Sequence, residues 1–240
     1  MRFTDLLFPN IHCIVCGEEI FTSDTFCICN KCMQKLPFIL GNTCEICNRK
    51  ISGTGKLCEH CKDYQPKYIK CARSIFEYDG EIKNVIFKLK YENKKFLAEM
   101  LSKLLYNEFC HRKEFENIDL IVPVPIHENR RKQRGYNQSE LLCYEFLKTN
   151  KVRFNLVKKI KDTPSQTSKN FNERKENVKG AFCITDKSEV KNKNILIIDD
   201  IFTSGSTTNE IAKGLHSFGA KSVKVLTLCT AGNENKFVEN

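Results

Sequence analysis

The chain has 240 residues, of which 41% are apolar and 28% charged, a composition typical of globular proteins and unlike that of disordered or fibrous ones. No stretch approaches the roughly 18 consecutive apolar residues of a membrane-spanning helix, so we expect no membrane insertion. The net charge of +10 is uneven: residues 121–180 hold 14 Lys or Arg against 6 Asp or Glu, which favours either a phosphate-rich partner or a solvated lysine-rich face.

The N-terminal segment predicts a cytoplasmic location. Asp5 and Pro9 stand where a secretory signal would have its apolar run. Cysteine is concentrated here, because 10 of the 14 cysteines lie in the first 71 residues. The remaining four occur in apolar contexts and are predicted to be small core residues. They are Cys110, Cys143, Cys183 and Cys229.

Residues 10–62 contain four Cys-x-x-Cys pairs. This spacing lets both thiolates of a tight turn bind one tetrahedral metal, and two pairs complete a structural four-cysteine zinc site. Disulfides or a redox pair are the alternatives, but four pairs exceed what a redox motif needs. Pairing in sequence order predicts two structural Zn²⁺ ions, while a crossed pairing stays open. The predicted ligands are Cys13, Cys16, Cys29 and Cys32 for one ion and Cys44, Cys47, Cys58 and Cys61 for the other, which leaves Cys27 and Cys71 over.

After a basic, aromatic connector at residues 62–78, the apolar pattern becomes helical. Apolar residues recur at i, i+3, i+4 and i+7 from Ile82 to Leu89 and continue at 97–105. From residue 119 onward, strand and helix patterns alternate, which predicts an α/β fold with a parallel sheet flanked by helices. The predicted strands are 119–125, 194–198 and 223–228, the predicted helices are 138–148 and 207–218, and the polar segment 161–180 is a predicted mobile loop or lid.

The apolar strand at 194–198 ends in Asp199 and Asp200 and enters a hydroxyl-rich turn that opens a helix. Ligands of open α/β sheets bind at the carboxyl ends of the strands. Gly205 lets the backbone turn so that successive N–H groups point at one phosphate beside the positive end of the helix. The two aspartates stand where they can accept hydrogen bonds from ribose hydroxyls. We therefore predict a ribose-5-phosphate site whose loop comprises Thr203, Ser204, Gly205, Ser206 and Thr207.

Other phosphate-binding motifs fit this turn less well. A Walker A loop needs a lysine where Ser206 stands, and a dinucleotide fingerprint needs three spaced glycines where only Gly205 is present. Receiver domains also have paired acids at a strand end, but without the hydroxyl-rich turn. An acidic strand end before a capped helix is the structural alternative, and it leaves Asp200 without a role.

The whole pattern resembles the ComF family, phosphoribosyltransferase-like proteins linked to competence and DNA uptake. The most specific part is the run 134–138, Arg-Gly-Tyr-Asn-Gln, after a Pro-Val-Pro strand. The cysteine pairs, the tract 78–91, the run Thr-Pro-Ser-Gln at 163–166 and the aspartate loop add to the resemblance. The resemblance implies a type I phosphoribosyltransferase-like domain at 66–240, with a helical hood at about 80–110, after a double zinc ribbon at 1–65.

The resemblance also implies a ligand, 5-phosphoribosyl 1-diphosphate (PRPP) with Mg²⁺. Its 5-phosphate would lie in the 203–207 loop and its ribose hydroxyls on the two aspartates. Arg130 and Arg134 would contact the diphosphate, and Arg174 on the predicted lid would close over it.

Two functions stay open. One is a PRPP-binding protein that supports DNA uptake and natural transformation, in contact with single-stranded DNA and competence proteins. Its basic stretch, with Tyr136 and Phe171, suits base stacking and phosphate tracking. The other is an active phosphoribosyltransferase in which Asp199 and Asp200 are catalytic. It would join a nucleobase-like acceptor to PRPP and release pyrophosphate. A third reading is an inactive domain used as an interaction platform.

Overall fold

The structure is a computed structural model that describes residues 11–20, 28–92, 96–163 and 176–232. The N-terminal module contains a two-stranded hairpin, β1 (Ile11–His12) and β2 (Glu19–Ile20), and two short helices, α1 (Asn30–Lys35) and α2 (Glu59–Asp63). Each helix begins directly after the first cysteine of a Cys-x-x-Cys pair. The second cysteine of each pair therefore lies in the first turn of its helix.

The segment predicted as a connector contains a strand instead, β3 (Cys71–Glu77), which forms one edge of the central sheet. The sequence pattern missed it because polar Arg73 and Ser74 interrupt the apolar run. Ser74 is nevertheless buried, since its hydroxyl hydrogen-bonds that of Thr227 at 2.7 Å.

The predicted helical segment forms two helices, α3 (Glu81–Tyr91) and α4 (Phe96–His111). All four apolar residues of the i, i+3, i+4, i+7 set in α3 are buried. These two helices pack over one face of the sheet at the position predicted for the hood, and that name is kept for them.

The middle of the chain contains β4 (Leu120–Pro123), α5 (Glu128–Arg134) and α6 (Gln138–Leu141). The prediction of a single helix over 138–148 was wrong, because α6 ends at Leu141 and a separate 3₁₀ helix follows at Tyr144–Thr149. The buried hydroxyl of Ser102 on α4 donates to the Leu142 carbonyl and accepts from the Glu145 N–H, each at 2.9 Å. These two hydrogen bonds replace part of the helical ladder.

A small antiparallel pair, β5 (Val157–Lys159) and β6 (Phe182–Ile184), was not predicted. It joins the two ends of the predicted lid. Residues 164–175 of that lid lie outside the described residues.

The last elements are β7 (Asn194–Phe202), α7 (Ser206–Ser217) and β8 (Ser222–Thr230). The order β3-β8-β7-β4, parallel throughout, confirms the predicted parallel sheet. β7 continues four residues beyond the predicted end because it stays paired with β8 as far as Phe202 and Thr230. Asp199 and Asp200 therefore lie inside the paired strand, two to three residues before its end.

Both faces of the sheet are buried, as expected for a parallel sheet. One face packs against the hood together with the first cysteine group, and the other packs against α7 together with the second. Within the described ranges, no helix combines the length and apolarity needed to cross a bilayer.

Candidate functional site

The eight cysteines of the four pairs form two groups, and within each group the sulfur atoms lie within 4.8 Å of one another. A tetrahedral zinc with Zn–S bonds of about 2.3 Å separates its sulfurs by about 3.8 Å. The Cys16 and Cys29 sulfurs are 3.8 Å apart and those of Cys47 and Cys58 are 3.4 Å apart, so both groups fit a zinc ion. The cysteines that the structure describes cluster in sequence order, and not in the crossed arrangement. The two groups are Cys13, Cys16, Cys29 and Cys32, and Cys44, Cys47, Cys58 and Cys61.

Of the other cysteines, the five that the structure describes lie outside both groups. Cys71 is buried in β3, where burial raises the pKa of its thiol. Cys143 and Cys229 are core residues as predicted, but Cys110 is exposed and Cys183 only half-buried. The core prediction was therefore wrong for Cys110, which lies in the last turn of α4 where the helix face turns to solvent. Cys27 lies outside the described residues.

A cleft of about 440 Å³ opens at the carboxyl ends of β4 and β7. It brings together most of the residues that the sequence predicted to bind the ligand. Ser204 lies behind the lining, buried, with its hydroxyl 2.8 Å from that of Ser206, and Arg174 lies outside the described residues. The predicted residues that line the cleft are Asp199, Asp200, Thr203, Gly205, Ser206, Thr207, Arg130 and Arg134.

The loop between β7 and α7 is built around Gly205, which has a positive φ of 74° and directly precedes α7. A Cβ at this position would lie 2.6 Å from the ring of Phe202, so glycine is required for space as well as for conformation. The first N–H groups of a helix have no acceptor within it and carry the positive end of its dipole. This loop therefore presents backbone donors to the cleft.

The two carboxyl groups are buried and differently compensated. Lys90, from α3, forms an ion pair with Asp200. Ser139 donates to Asp199 at 2.8 Å, and Gln138 donates to Asp200 at 3.5 Å. The sequence pattern did not indicate a role for any of these three partners.

Their pKa values follow from burial and charge. Burial and the neighbouring Asp200 raise the pKa of Asp199 well above its usual range. Burial also acts to raise the pKa of Asp200, but the charge of Lys90 outweighs it and the pKa is lowered. Burial disfavours the charged form of Lys90, yet Asp200 raises the pKa of Lys90. The proton is therefore held more tightly by Asp199 than by Asp200, and Asp200 carries the charge that pairs with Lys90.

The run 135–139 holds this arrangement in place. The hydroxyl of Tyr136 donates to the carbonyl of Leu89 in the hood. Asn137 donates to the Val124 carbonyl at 3.0 Å, and its side-chain oxygen accepts from the Ser139 N–H at 3.1 Å and begins α6. Tyr136 and Asn137 thus connect the hood to the end of β4. The next two residues, Gln138 and Ser139, contact the aspartates.

Two arginines and a lysine contribute positive charge near the carboxylates. Arg134 donates to Gln138 and lies 5.2 Å from the centre of the Tyr91 ring. Arg130 contacts the Thr163 carbonyl at 3.4 Å. Lys159 of β5 also lines the cleft, and burial, together with the charge of Arg130, lowers its pKa. Such a set suits a ligand with several phosphate charges.

An aromatic rim borders the cleft on the hood side. Phe87 and Tyr91 are 53% and 58% exposed, and their ring centres are 4.9 Å apart. Tyr136, predicted to stack on bases, is buried with only 5% exposure and its hydroxyl donates to the Leu89 carbonyl, so that prediction was wrong. Phe171 lies outside the described residues.

Comparison with known proteins agrees with this organisation. Residues 133–240 match the family described as phosphoribosyl transferase domain, and residues 3–64 match the double zinc ribbon domain. Competence protein F of Haemophilus influenzae is 29% identical over 93% of this chain and 99% of its own length. DNA utilization protein YhgH of Escherichia coli O6:H1 is 29% identical over 81% of this chain and 94% of its own length. Competence protein ComFC of Streptococcus pneumoniae is 29% identical over 90% of this chain and 98% of its own length.

Proposed function

Because this ComF-like chain joins a double zinc ribbon to a type I phosphoribosyltransferase domain, we propose that it is a PRPP-binding protein that supports DNA uptake. The carrying observation is that one cleft at the carboxyl ends of the parallel strands combines a glycine-turned loop, a buried aspartate pair and several cations. The DNA-uptake role rests on the names of the relatives. The cytoplasm is its proposed place of action.

The ligand would bind through three parts of the cleft. Its 5-phosphate would accept hydrogen bonds from the loop around Gly205, and its ribose hydroxyls would bind Asp199 and Asp200. Arg130 and Arg134 would contact the diphosphate. Mg²⁺ is usually held through substrate phosphates and one or two carboxylates, which fits a cleft with few free carboxylate oxygens. When bound, Mg²⁺ would neutralise diphosphate charge.

A calorimetric titration with PRPP and Mg²⁺ tests this proposal. We expect saturable binding to the wild type and none to the Asp199→Asn/Asp200→Asn double variant. The matched control is Asp119→Asn/Asp186→Asn, which makes the same pair of substitutions at two exposed positions outside the cleft. Absence of binding to zinc-loaded wild type would refute the ligand assignment.

Contact with single-stranded DNA is proposed for the aromatic rim. Exposed Phe87 and Tyr91 beside Arg134 provide the ring faces and the positive charge that single-stranded nucleic acid requires. We expect a Phe87→Ala/Tyr91→Ala variant to lose about tenfold or more in DNA affinity, since stacking contributes about 1–3 kcal/mol per base. Tyr144→Ala, at an equally exposed ring away from the cleft, is the control. Binding that does not weaken with salt would contradict phosphate tracking.

The same rim favours a second candidate, an active phosphoribosyltransferase. A planar base stacked there would stand beside the proposed ribose site. The C1–oxygen bond to the diphosphate would break as a bond from C1 to a ring nitrogen forms, and pyrophosphate would leave with its negative charge facing Arg130 and Arg134. Pyrophosphate release over a panel of bases decides between turnover and binding alone.

A further inference from the structure

The second zinc ribbon contains a buried arginine whose side chain leaves the ribbon. Arg49 follows Cys47 by two residues and is only 3% exposed. Its Nε donates to the carbonyl of Ala231, directly after β8, at 2.9 Å. Its Nη2 donates to the carbonyl of Thr203, the first residue of the phosphate loop. One guanidinium thus joins a zinc knuckle to the loop.

Neighbouring residues of the same knuckle are hydrogen-bonded to the sheet. The Ile46 carbonyl accepts from the N–H of Ala72 at 2.6 Å. The side chain of Asn48 accepts from the N–H of Ser74 at 2.8 Å. The knuckle is therefore fixed on β3, and Arg49 extends from a rigid base.

The position of Arg49 depends on charge compensation. A buried guanidinium is costly unless its charge and donors are satisfied. Its third nitrogen, Nη1, is buried without a hydrogen-bond partner among the described residues. A zinc ion with four thiolates has a net charge of about −2, which would stabilise a guanidinium next to the cluster. The metal-bound ribbon is thus the state that favours this contact.

The contact also orients the loop. A trans peptide places its carbonyl and N–H on opposite sides. When Arg49 holds the Thr203 carbonyl, the N–H of Ser204 points away from Arg49, and the direction of the following turn is fixed. We infer that Arg49 is a positioning residue through which the folded second zinc ribbon sets the geometry of the phosphate loop. This inference rests on the proposed function for the identity of the ligand.

The test compares Arg49→Met with a matched variant, Arg73→Met. Arg73 also joins the body to the second ribbon, through the Glu45 carbonyl at 2.9 Å, and pairs with Glu114 at 2.8 Å, but it makes no contact with the phosphate loop. Ribose 5-phosphate affinity is measured by calorimetry, loop amide exchange by hydrogen–deuterium exchange, and zinc by metal analysis. We expect Arg49→Met to lower the affinity for ribose 5-phosphate on the order of tenfold and to speed amide exchange at residues 203–208. Both zinc ions should be retained. Arg73→Met should change neither.

Equal effects of the two variants, or unchanged loop exchange in Arg49→Met, would overturn the inference. If Arg49→Met loses zinc or fails to fold, Arg49→Lys decides. It keeps the charge, but its single ammonium cannot span both carbonyls, so wild-type affinity and loop exchange in that variant would also overturn it. Wild type that binds no ribose 5-phosphate, while Arg49→Met still loosens the loop, would refute the proposed ligand and leave the positioning role standing.

Discussion

The cysteine groups and the aspartate pair both crowd acidic side chains into buried places, but their charges are compensated differently. In the second cysteine group all four sulfurs are buried, and their close approach is that of ligands around a metal. In the cleft, Lys90 neutralises Asp200, and burial beside Asp200 raises the pKa of Asp199. The cysteine groups thus need a resident ion, whereas the aspartates of the cleft are compensated by side chains of the chain itself. A site of the second kind can exchange its ligand.

The largest expected effect is at the second cysteine group. Cys47→Ser removes a buried zinc ligand and should lower the free energy of unfolding on the order of 5 kcal/mol and leave one zinc per chain. Cys16→Ser, at an exposed ligand of the first group, should also lose one zinc but cost less stability. Cys71→Ser, a buried non-ligand, is the control that keeps both. Metal analysis and urea unfolding measure these outcomes, and two zinc ions in Cys47→Ser would contradict the assignment.

The next effect distinguishes the two aspartates. Asp200→Asn leaves Lys90 buried without its anionic partner and should cost about 3–5 kcal/mol. Asp199→Asn removes a carboxyl whose charged form burial disfavours, so it should cost far less than Asp200→Asn or raise the stability. Urea unfolding of the zinc-loaded proteins at neutral pH measures both. A larger loss for Asp199→Asn would reverse the charge assignment.

A smaller effect concerns the loop. Gly205→Ala forces a Cβ against the Phe202 ring at a residue with a positive φ. This variant should lower the affinity for PRPP at least about tenfold. Gly219, beyond the other end of α7, has a similar φ of 84°, but a Cβ there would lie 3.6 Å from its nearest neighbour, the Lys191 side chain. Gly219→Ala should therefore bind PRPP like the wild type. Calorimetry of both variants measures the difference. Equal losses would show that helix strain, and not the loop, controls affinity.

The smallest effect is on pH dependence. The pKa of Asp199 is higher in the folded chain than in the unfolded one, so its stabilising contribution is complete below the unfolded value near 3.8 and is lost as pH rises through the folded value. Asp199→Asn lacks this proton. The stability of wild type relative to the variant should therefore fall with rising pH, in unfolding curves recorded from pH 5 to 9. A constant difference would mean that Asp199 is ionised throughout.

The features predicted correctly from sequence are those encoded by local spacing. The Cys-x-x-Cys pairs, the apolar set of α3 and the acidic strand end before Gly205 each occupy a few neighbouring positions. Their positions in the fold follow from the residue types alone. The ComF resemblance then supplied the arrangement of the domains.

The features missed depend on contacts between distant segments. Lys90 and Ser139 are ordinary helix residues until the fold brings them to the aspartates. Arg49 is indistinguishable in sequence from any basic residue after a zinc knuckle. The broken helix at 138–148 depends on a hydroxyl contributed by Ser102. Such roles arise from packing, which a single sequence does not display.

Native mass spectrometry of the zinc-loaded protein with Mg²⁺ and PRPP tests the contrast between the two kinds of site most directly. We predict a chain that keeps two zinc ions through buffer exchange and gains one PRPP that leaves on dilution. A chain without a PRPP adduct, or one that loses its zinc as readily as its ligand, would contradict the account.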